Sequence, residues 1–283
     1  MNNYKIETIL VPIDFSETAE KAMFKAIDLA RKVGARLVLV HVTETSVLAL
    51  PPEMVSVGTI MEKMLKVSKD NLKKLASTIK EEHGLKVDHA CYSGDVYHSI
   101  IRAAHLYNAE LIVMGTHGAS GIGEWLFGSN AFSVVNNTTI PVLTINLQSD
   151  LNSFKKIIFP FNENLLTLKK TEQVLELARI FDSSILLYGF SRDNKDAIEK
   201  SLRQKGAELM KEFSDSGVES ELIIETGTNY ATGILNYAEK CNADLITIIS
   251  NRSHNIDKVF KSRPDKKLVN HSEIPVLTVP VDL

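Results

Sequence analysis

Gly115, Gly118, Gly121, Gly123 and Gly128 fall within fourteen residues, in "GTHGASGIGEWLFGSN" (115–130), after the apolar run "AELIVM" and before "IPVLTI". Glycine weakens both helix and strand, so this spacing serves conformation or access rather than stability. A bare backbone permits positive φ and lets N–H groups approach a ligand with no Cβ between them. Gly128-Ser129 then opens a helix, whose first turn offers unpaired N–H groups and a partial positive charge. Together these make a cradle for an anion, most often phosphate; a flexible turn is the other reading of the same glycines. The segment has no GK[ST], so it is not a Walker A loop, and "GASGIG" has its glycines in the wrong order for GxGxxG.

Few other residues have the types and spacing for chemistry. Asp14 ends the run "ILVPID", where its carboxylate suits a ligand contact and equally suits a capping box with Glu17. The eight histidines are scattered, none in HExxH or similar spacing, so no metal site is expected. Cys91 and Cys241 form no CxxC and read as free thiols of a reducing compartment. Phosphoryl transfer needs a positioned base and charge neutralisation at the transferred phosphate. No lysine or arginine lies between Gly115 and Asn130. Asp14 could help hold Mg²⁺ and Glu124 could orient water, but no motif places either. Binding with slow or no turnover is therefore favoured, with no catalytic residue assigned and slow hydrolysis kept as the alternative.

The elements that must position these residues follow from periodicity. "KIETILVPI" is a β-branched apolar run and reads as a buried strand. Ala19, Ala22, Met23, Ala26, Ala30 and Val33 recur at helical steps, closed by Gly34 at a C-cap position. "RLVLVHV" is a second strand, and a helix from about Gly58 to His83 precedes Gly84. "KVDHACY" is a third strand, Asp95 caps a helix through about Leu106, and "ELIVMG" is a fourth strand. A helix from about Ser129 then leads to "IPVLTIN". The alternation is that of a parallel sheet covered on both faces.

The pattern is written twice. "KKIIFPFNENL" repeats "ETILVPIDFSE" at an offset of 148, and "CNADLITII" repeats "YNAELIVMG" at an offset of 134. Ile274 also lies 134 residues after Ile140, so the intervening loop has one length in both copies. The expected domains are 1–147 and 154–283, with "LQSDLNSF" (147–154) as the linker. Inside the equal-length loop the copies diverge. Between Gly115 and Asn130 only Ile122 keeps its partner, Ile256, while Gly115, Gly118, Gly128 and Ser129 face Ile249, Arg252, Ser262 and Arg263. Fold geometry alone should act on both copies alike, so the glycines point to a function held by the first. Asn162 stands at the position of Asp14, where it would cap equally well without the charge. Trp125 and Phe127 read as core cover. Lys258, Lys261, Lys266 and Lys267, with Arg252 and Arg263, make the second loop basic, which reads as a solvated surface.

The spacing Gly115-x2-Gly118-x9-Gly128-Ser129 resembles the ATP-binding motif of universal stress proteins (UspA-like). "ILVPIDFSE" and "IPVLTI" look like that family's first and last strands. The resemblance covers the whole chain as a tandem pair, and the second copy departs from the motif at every position. It implies an α/β fold of two tandem open-sheet domains, each a five-stranded parallel sheet of order 3-2-1-4-5 with helices on both faces. Ligands in such Rossmann-like sheets sit beyond the carboxyl ends of the strands where the order reverses. The resemblance further implies that Pro12, Ile13 and Asp14 border the nucleoside, with Asp14 toward ribose or metal. Val42 would meet the adenine edge through its backbone, and Met114 would pack near base or sugar. Gly115, Gly118, Gly128, Ser129 and Asn130 would carry the phosphates, with His117 between them as a further candidate contact. The implied ligand is ATP, ADP or AMP, with Mg²⁺ if Asp14 reaches it. The implied role is a stress-response regulatory protein, with a nucleotide-free interaction scaffold as a second alternative. Family members pair through the last strand, so Pro141–Asn146 and Pro275–Pro280 are expected to meet within one chain, with a homodimer of such chains left open.

Bulk properties fit this reading. The 283 residues are 44% hydrophobic, which supports two real cores, and a net charge of −3 argues against general nucleic-acid binding. The start "MNNYKIETILVPID" shows no secretory pattern, and no apolar run approaches the roughly 18 residues of a spanning helix. The expectation is a cytoplasmic protein without a membrane partner.

Overall fold

In a computed structural model, the residues described are 4–44, 56–116, 128–149, 154–162, 168, 170–192, 195–251 and 272–281. His117, Gly118, Glu124, Trp125, Phe127 and the basic residues 252–267 lie outside this set.

The first half runs β1 (Thr8–Pro12), α1 (Glu17–Val33), β2 (Arg36–Glu44), α2 (Ser56–His83), β3 (Val87–Gly94), α3 (Val96–Leu106), β4 (Leu111–Gly115), α4 (Ser129–Asn137) and β5 (Val142–Ile145). The second runs β6 (Lys156–Phe161), α5 (Thr171–Phe181), β7 (Ser184–Ser191), α6 (Asp196–Asp215), β8 (Ser220–Thr226), α7 (Tyr230–Cys241), β9 (Leu245–Asn251) and β10 (Val276–Val281). The strand order is β3-β2-β1-β4-β5-β10-β9-β6-β7-β8. Each half thus has the order 3-2-1-4-5, and the two merge into one ten-stranded sheet. All described pairs are parallel except β5–β10, where Val276, Leu277 and Thr278 face Thr144, Leu143 and Val142 in antiparallel register.

Local sequence explains the elements that carry the site. β1 and β4 are buried on both faces and so are continuously apolar, with Ile9, Leu10, Val11, Ile112 and Val113 fully inaccessible. α1 buries Ala19, Ala22, Ala26 and Ala30 on a small-residue face that lets it lie close to the sheet. Gly34, at φ 72°, ends it by donating to Ala30 O.

Two expectations need correction here. Ser16, not Asp14, is the N-cap of α1: its side chain accepts from Ala19 N at 3.2 Å. The capping box with Glu17 therefore does not form. Nor does Asn162 cap α5, which begins at Thr171 with Lys170 at its N-cap and no side-chain cap bond.

The sheet separates the core into layers. One apolar cluster spans both halves beneath α1, α2, α5 and α6, while Ile100, Ala131 and Val134 of α3 and α4 share the opposite face of the first half with Leu10 and Val40. Ala231 and Ile234 of α7 cover the matching face of the second. Phe154, expected in the linker, is fully buried. It packs against Phe181 with ring centroids 5.0 Å apart, and the Lys25 ammonium of α1 sits 3.8 Å above its ring. A charge this deeply buried persists only with such compensation, and here it ties the first half to the second.

Candidate functional site

Beyond the carboxyl ends of β2, β1 and β4 lies a cavity of about 310 Å³. Its lining includes Pro12, Ile13, Asp14, Val42, Met114, Gly115, Gly128, Ser129 and Asn130. These are all the expected site residues that the structure describes; His117 and Gly118 lie outside the described residues. The cavity falls where the strand order reverses between β1 and β4, the position that favours ligands in open α/β sheets. Val40, Glu44, Val96, Ile100 and Thr116 also line it and escaped sequence reasoning. The signal for Val40 and Glu44 was available: they alternate with Val42 along β2 and so share its face.

Hydrogen bonds hold the rim. Ile13 N donates to Val40 O at 2.8 Å, and Ile13 O lies 2.7 Å from His41 Nδ1. The turn bearing Asp14 is therefore fastened to β2 through both backbone groups of Ile13, and His41 is a positioning residue that the sequence did not advertise. Phe15 follows with φ 64°, unusual for a non-glycine residue, and its ring lies 5.1 Å from His41. Asp14 Oδ1 accepts from Ser16 N at 3.0 Å and from Ser16 Oγ at 2.6 Å.

On the other side, Thr116 N donates to Ile145 O at 2.9 Å and Gly128 N donates to Thr116 O at 2.7 Å. This second bond fixes where the chain re-enters α4. No side chain caps α4, and Gly128, Ser129, Asn130 and Ala131 line the cavity. The first turn of α4 thus borders the cavity with its helix N-terminus, whose amides lack intrahelical partners and carry partial positive charge.

Gly115 has a plain structural role. A Cβ there would come within 2.9 Å of the Thr18 carbonyl carbon and 3.0 Å of its oxygen. The expectation that fold geometry does not explain the motif glycines is wrong at this position. The second half carries Ile249 there, and its helix α5 begins at Thr171 although Glu17 corresponds to position 165. The backbone that forbids a side chain at Gly115 is that of Thr18, in the first turn of α1.

The second half treats the corresponding slot differently. Val40, Val42 and Val96 become Tyr188, Phe190 and Tyr230. Tyr188 is fully buried and Phe190 is 4% exposed. Phe190 lies 5.3 Å from the Tyr230 ring, and Tyr188 lies 5.2 Å from Tyr237. Gly233 is required beside them, since a Cβ there would collide with Tyr188 Oη. Tyr188 donates to Glu225 Oε2 at 2.7 Å. Burial, and then that bond, push its hydroxyl well above the usual tyrosine range. Among the described residues, no group of three or more His, Cys, Asp or Glu side chains could hold a metal ion. No helix among them is long and apolar enough to cross a membrane.

A doubly wound sheet with a cavity at the strand-order reversal places the chain in the open α/β class, in which that position is where ligands bind. The family model described as "Universal stress protein family" matches residues 5–146 and again 153–280. The chain belongs to that family, in a tandem two-domain form. It is 32% identical over 144 residues to "Universal stress protein MJ0531" of Methanocaldococcus jannaschii, covering 51% of this chain and 83% of that one. It is 29% identical over 144 residues to "Universal stress protein YxiE" of Bacillus subtilis, covering 48% of this chain and 97% of that one. A crystal structure of a universal stress protein from Archaeoglobus fulgidus matches the fold with a TM-score of 0.76, at 21% identity, over 98% of this chain and 97% of that one.

Proposed function

We propose that the chain is a stress-response regulatory protein that binds one adenine nucleotide, in the half spanning 1–147, and that the half spanning 154–283 is its structural partner. The observation that carries this reading is the convergence of nine expected site residues, from β2, β4, the end of β1 and the turn after it, and the start of α4, on one cavity. An apolar slot of Val40, Val42, Val96 and Ile100 suits a flat base, and the α4 amides suit phosphate. Asp14 lies between them, on the side of ribose or a phosphate-bound Mg²⁺. Among the described residues, the cavity lining carries no lysine or arginine, which supports binding over turnover. The restriction to one half is supported by Tyr188, Phe190 and Tyr230, whose rings occupy the counterpart slot. The β5–β10 pairing supports a chain that contains both members of what would otherwise be a two-molecule assembly.

Calorimetric titration of the full chain with ATP, ADP and AMP tests the reading. One site per chain is expected. Failure of all three to bind would favour a nucleotide-free scaffold, and two equivalent sites would refute the assignment to one half.

A further inference from the structure

The cavity is electrically polar. Its α4 end offers amide N–H groups and a helix N-terminus; its β2 end offers the carboxylate of Glu44. Two strand spacings, about 10 Å, separate β2 from β4. A ligand whose anionic tail rests on α4 therefore places its other end against Val40, Val42 and Glu44, with Val96 and Ile100 of α3 facing it. The four apolar side chains bound a slot for a flat ring, and Glu44 stands exposed at its mouth. Asp14, the other carboxylate among the described lining residues, already accepts two hydrogen bonds from Ser16. An ionised carboxylate is acceptor-only. At the mouth of this slot it repels phosphate and ring carbonyl oxygen, and it is satisfied by an N–H donor on the ring's edge. The second half has neither part of the device: Phe190 replaces Val42, and Arg192 stands where Glu44 would be.

We propose that Glu44 is a specificity-determining residue that accepts a hydrogen bond from the 6-amino group of the base, and so selects a 6-aminopurine (adenine) nucleotide over a purine nucleotide lacking that donor. The inference rests on the nucleotide reading above and adds the group that reads the base. A hydrogen bond to a charged acceptor corresponds to a preference on the order of tenfold or more.

The test titrates the full chain with ATP and with purine riboside 5′-triphosphate, in which the amine is replaced by hydrogen. Wild type, Glu44→Ala and Glu44→Gln are compared, each checked for an unchanged melting temperature because Glu44 is exposed. Wild type is expected to bind ATP about tenfold more tightly than the analogue. Glu44→Ala should bind the two alike, and Glu44→Gln, which keeps an acceptor oxygen, should retain part of the preference. Equal shifts of both ligands in Glu44→Ala, with the preference intact, would overturn the proposal, since Glu44 would then act only on the ligand's overall charge. Tighter binding of GTP than ATP by wild type would overturn it as well, because guanine's adjacent N1 and N2 donors would be what the carboxylate reads. Absence of binding by either nucleotide to wild type would instead overturn the reading beneath it.

Discussion

Leu143 and Leu277 face each other across the antiparallel pair of β5 and β10, and each is the other's counterpart in the sequence repeat. A pseudo-two-fold axis therefore runs through this pair. Val276 faces Thr144 on one side of it and Thr278 faces Val142 on the other. The symmetry stops at the hydroxyls. Thr144 Oγ1 donates to Val276 O at 3.1 Å, whereas Thr278 Oγ1 is buried without a hydrogen-bond partner.

That asymmetry predicts opposite signs for the same substitution. Thr144→Val removes a made hydrogen bond and should cost about 1 kcal/mol. Thr278→Val removes an unsatisfied buried hydroxyl and should be neutral or stabilising by about 1 kcal/mol. Urea unfolding of the two variants decides the matter; equal losses would show that the two hydroxyls are equivalent in solution.

Exchanging residues between the halves tests what the slot is for. Val42→Phe imports the side chain that the second half carries as Phe190, and should lower ATP affinity by more than a hundredfold while costing at most about 1–3 kcal/mol of stability. Phe190→Val should cost about 1–3 kcal/mol through lost packing, yet leave ATP affinity unchanged. Calorimetry and thermal melting on both variants give the two readouts. Retained affinity in Val42→Phe would place the ligand elsewhere.

Gly115→Ala is expected to destabilise the first half by about 1–3 kcal/mol, because the new methyl meets the backbone of Thr18 rather than a movable side chain. Chemical denaturation measures it. An unchanged midpoint would mean that α1 can withdraw from β4 at no cost.

Tyr188 gives a pH prediction. Its hydroxyl titrates near 10 when unfolded and higher when folded, raised by burial and by its bond to Glu225. The folded state then holds a proton that the unfolded state releases, so this contribution is complete below pH 10 and is lost as pH rises from 10 toward the folded value. Wild type should therefore lose up to about 1.4 kcal/mol per pH unit from this group above that point. Tyr188→Phe should show a shallower alkaline fall in denaturant midpoints between about pH 9 and 11. Tyr4, Tyr107 and Tyr237 are raised by burial too, so some slope remains. An identical slope in the variant would remove Tyr188 from the account.

Much of this was legible in the chain because repetition is visible without coordinates. The two offsets fixed the equivalence of "ILVPID" and "IIFPFN", and short β-branched apolar runs marked the strands. Glycines 34 and 84 and Asp95 bounded helices where their chemistry said they would. The role of Ser16 was not legible, since Asp14 and Ser16 are both good caps and only the local geometry selects one. Gly115 misled for a different reason: the constraint comes from Thr18, nearly a hundred residues away in sequence. His41 was hidden because a strand's alternating faces do not announce what lies beyond them, whereas Glu44 could have been reached from Val42 by alternation along β2. The aromatic filling of the second half was spelled out by Tyr188, Phe190 and Tyr230, but had no meaning until Val40, Val42 and Val96 were seen to bound empty space.

The antiparallel joint has a consequence for the company this molecule can keep. β5 is flanked by β4 and β10, and β10 by β5 and β9, so neither strand offers a vacant ladder of backbone donors and acceptors. Single-domain molecules that associate through such a strand can trade partners at a rate set by concentration. In this chain the mate of β5 lies on the same polypeptide, so its local concentration does not dilute with the protein.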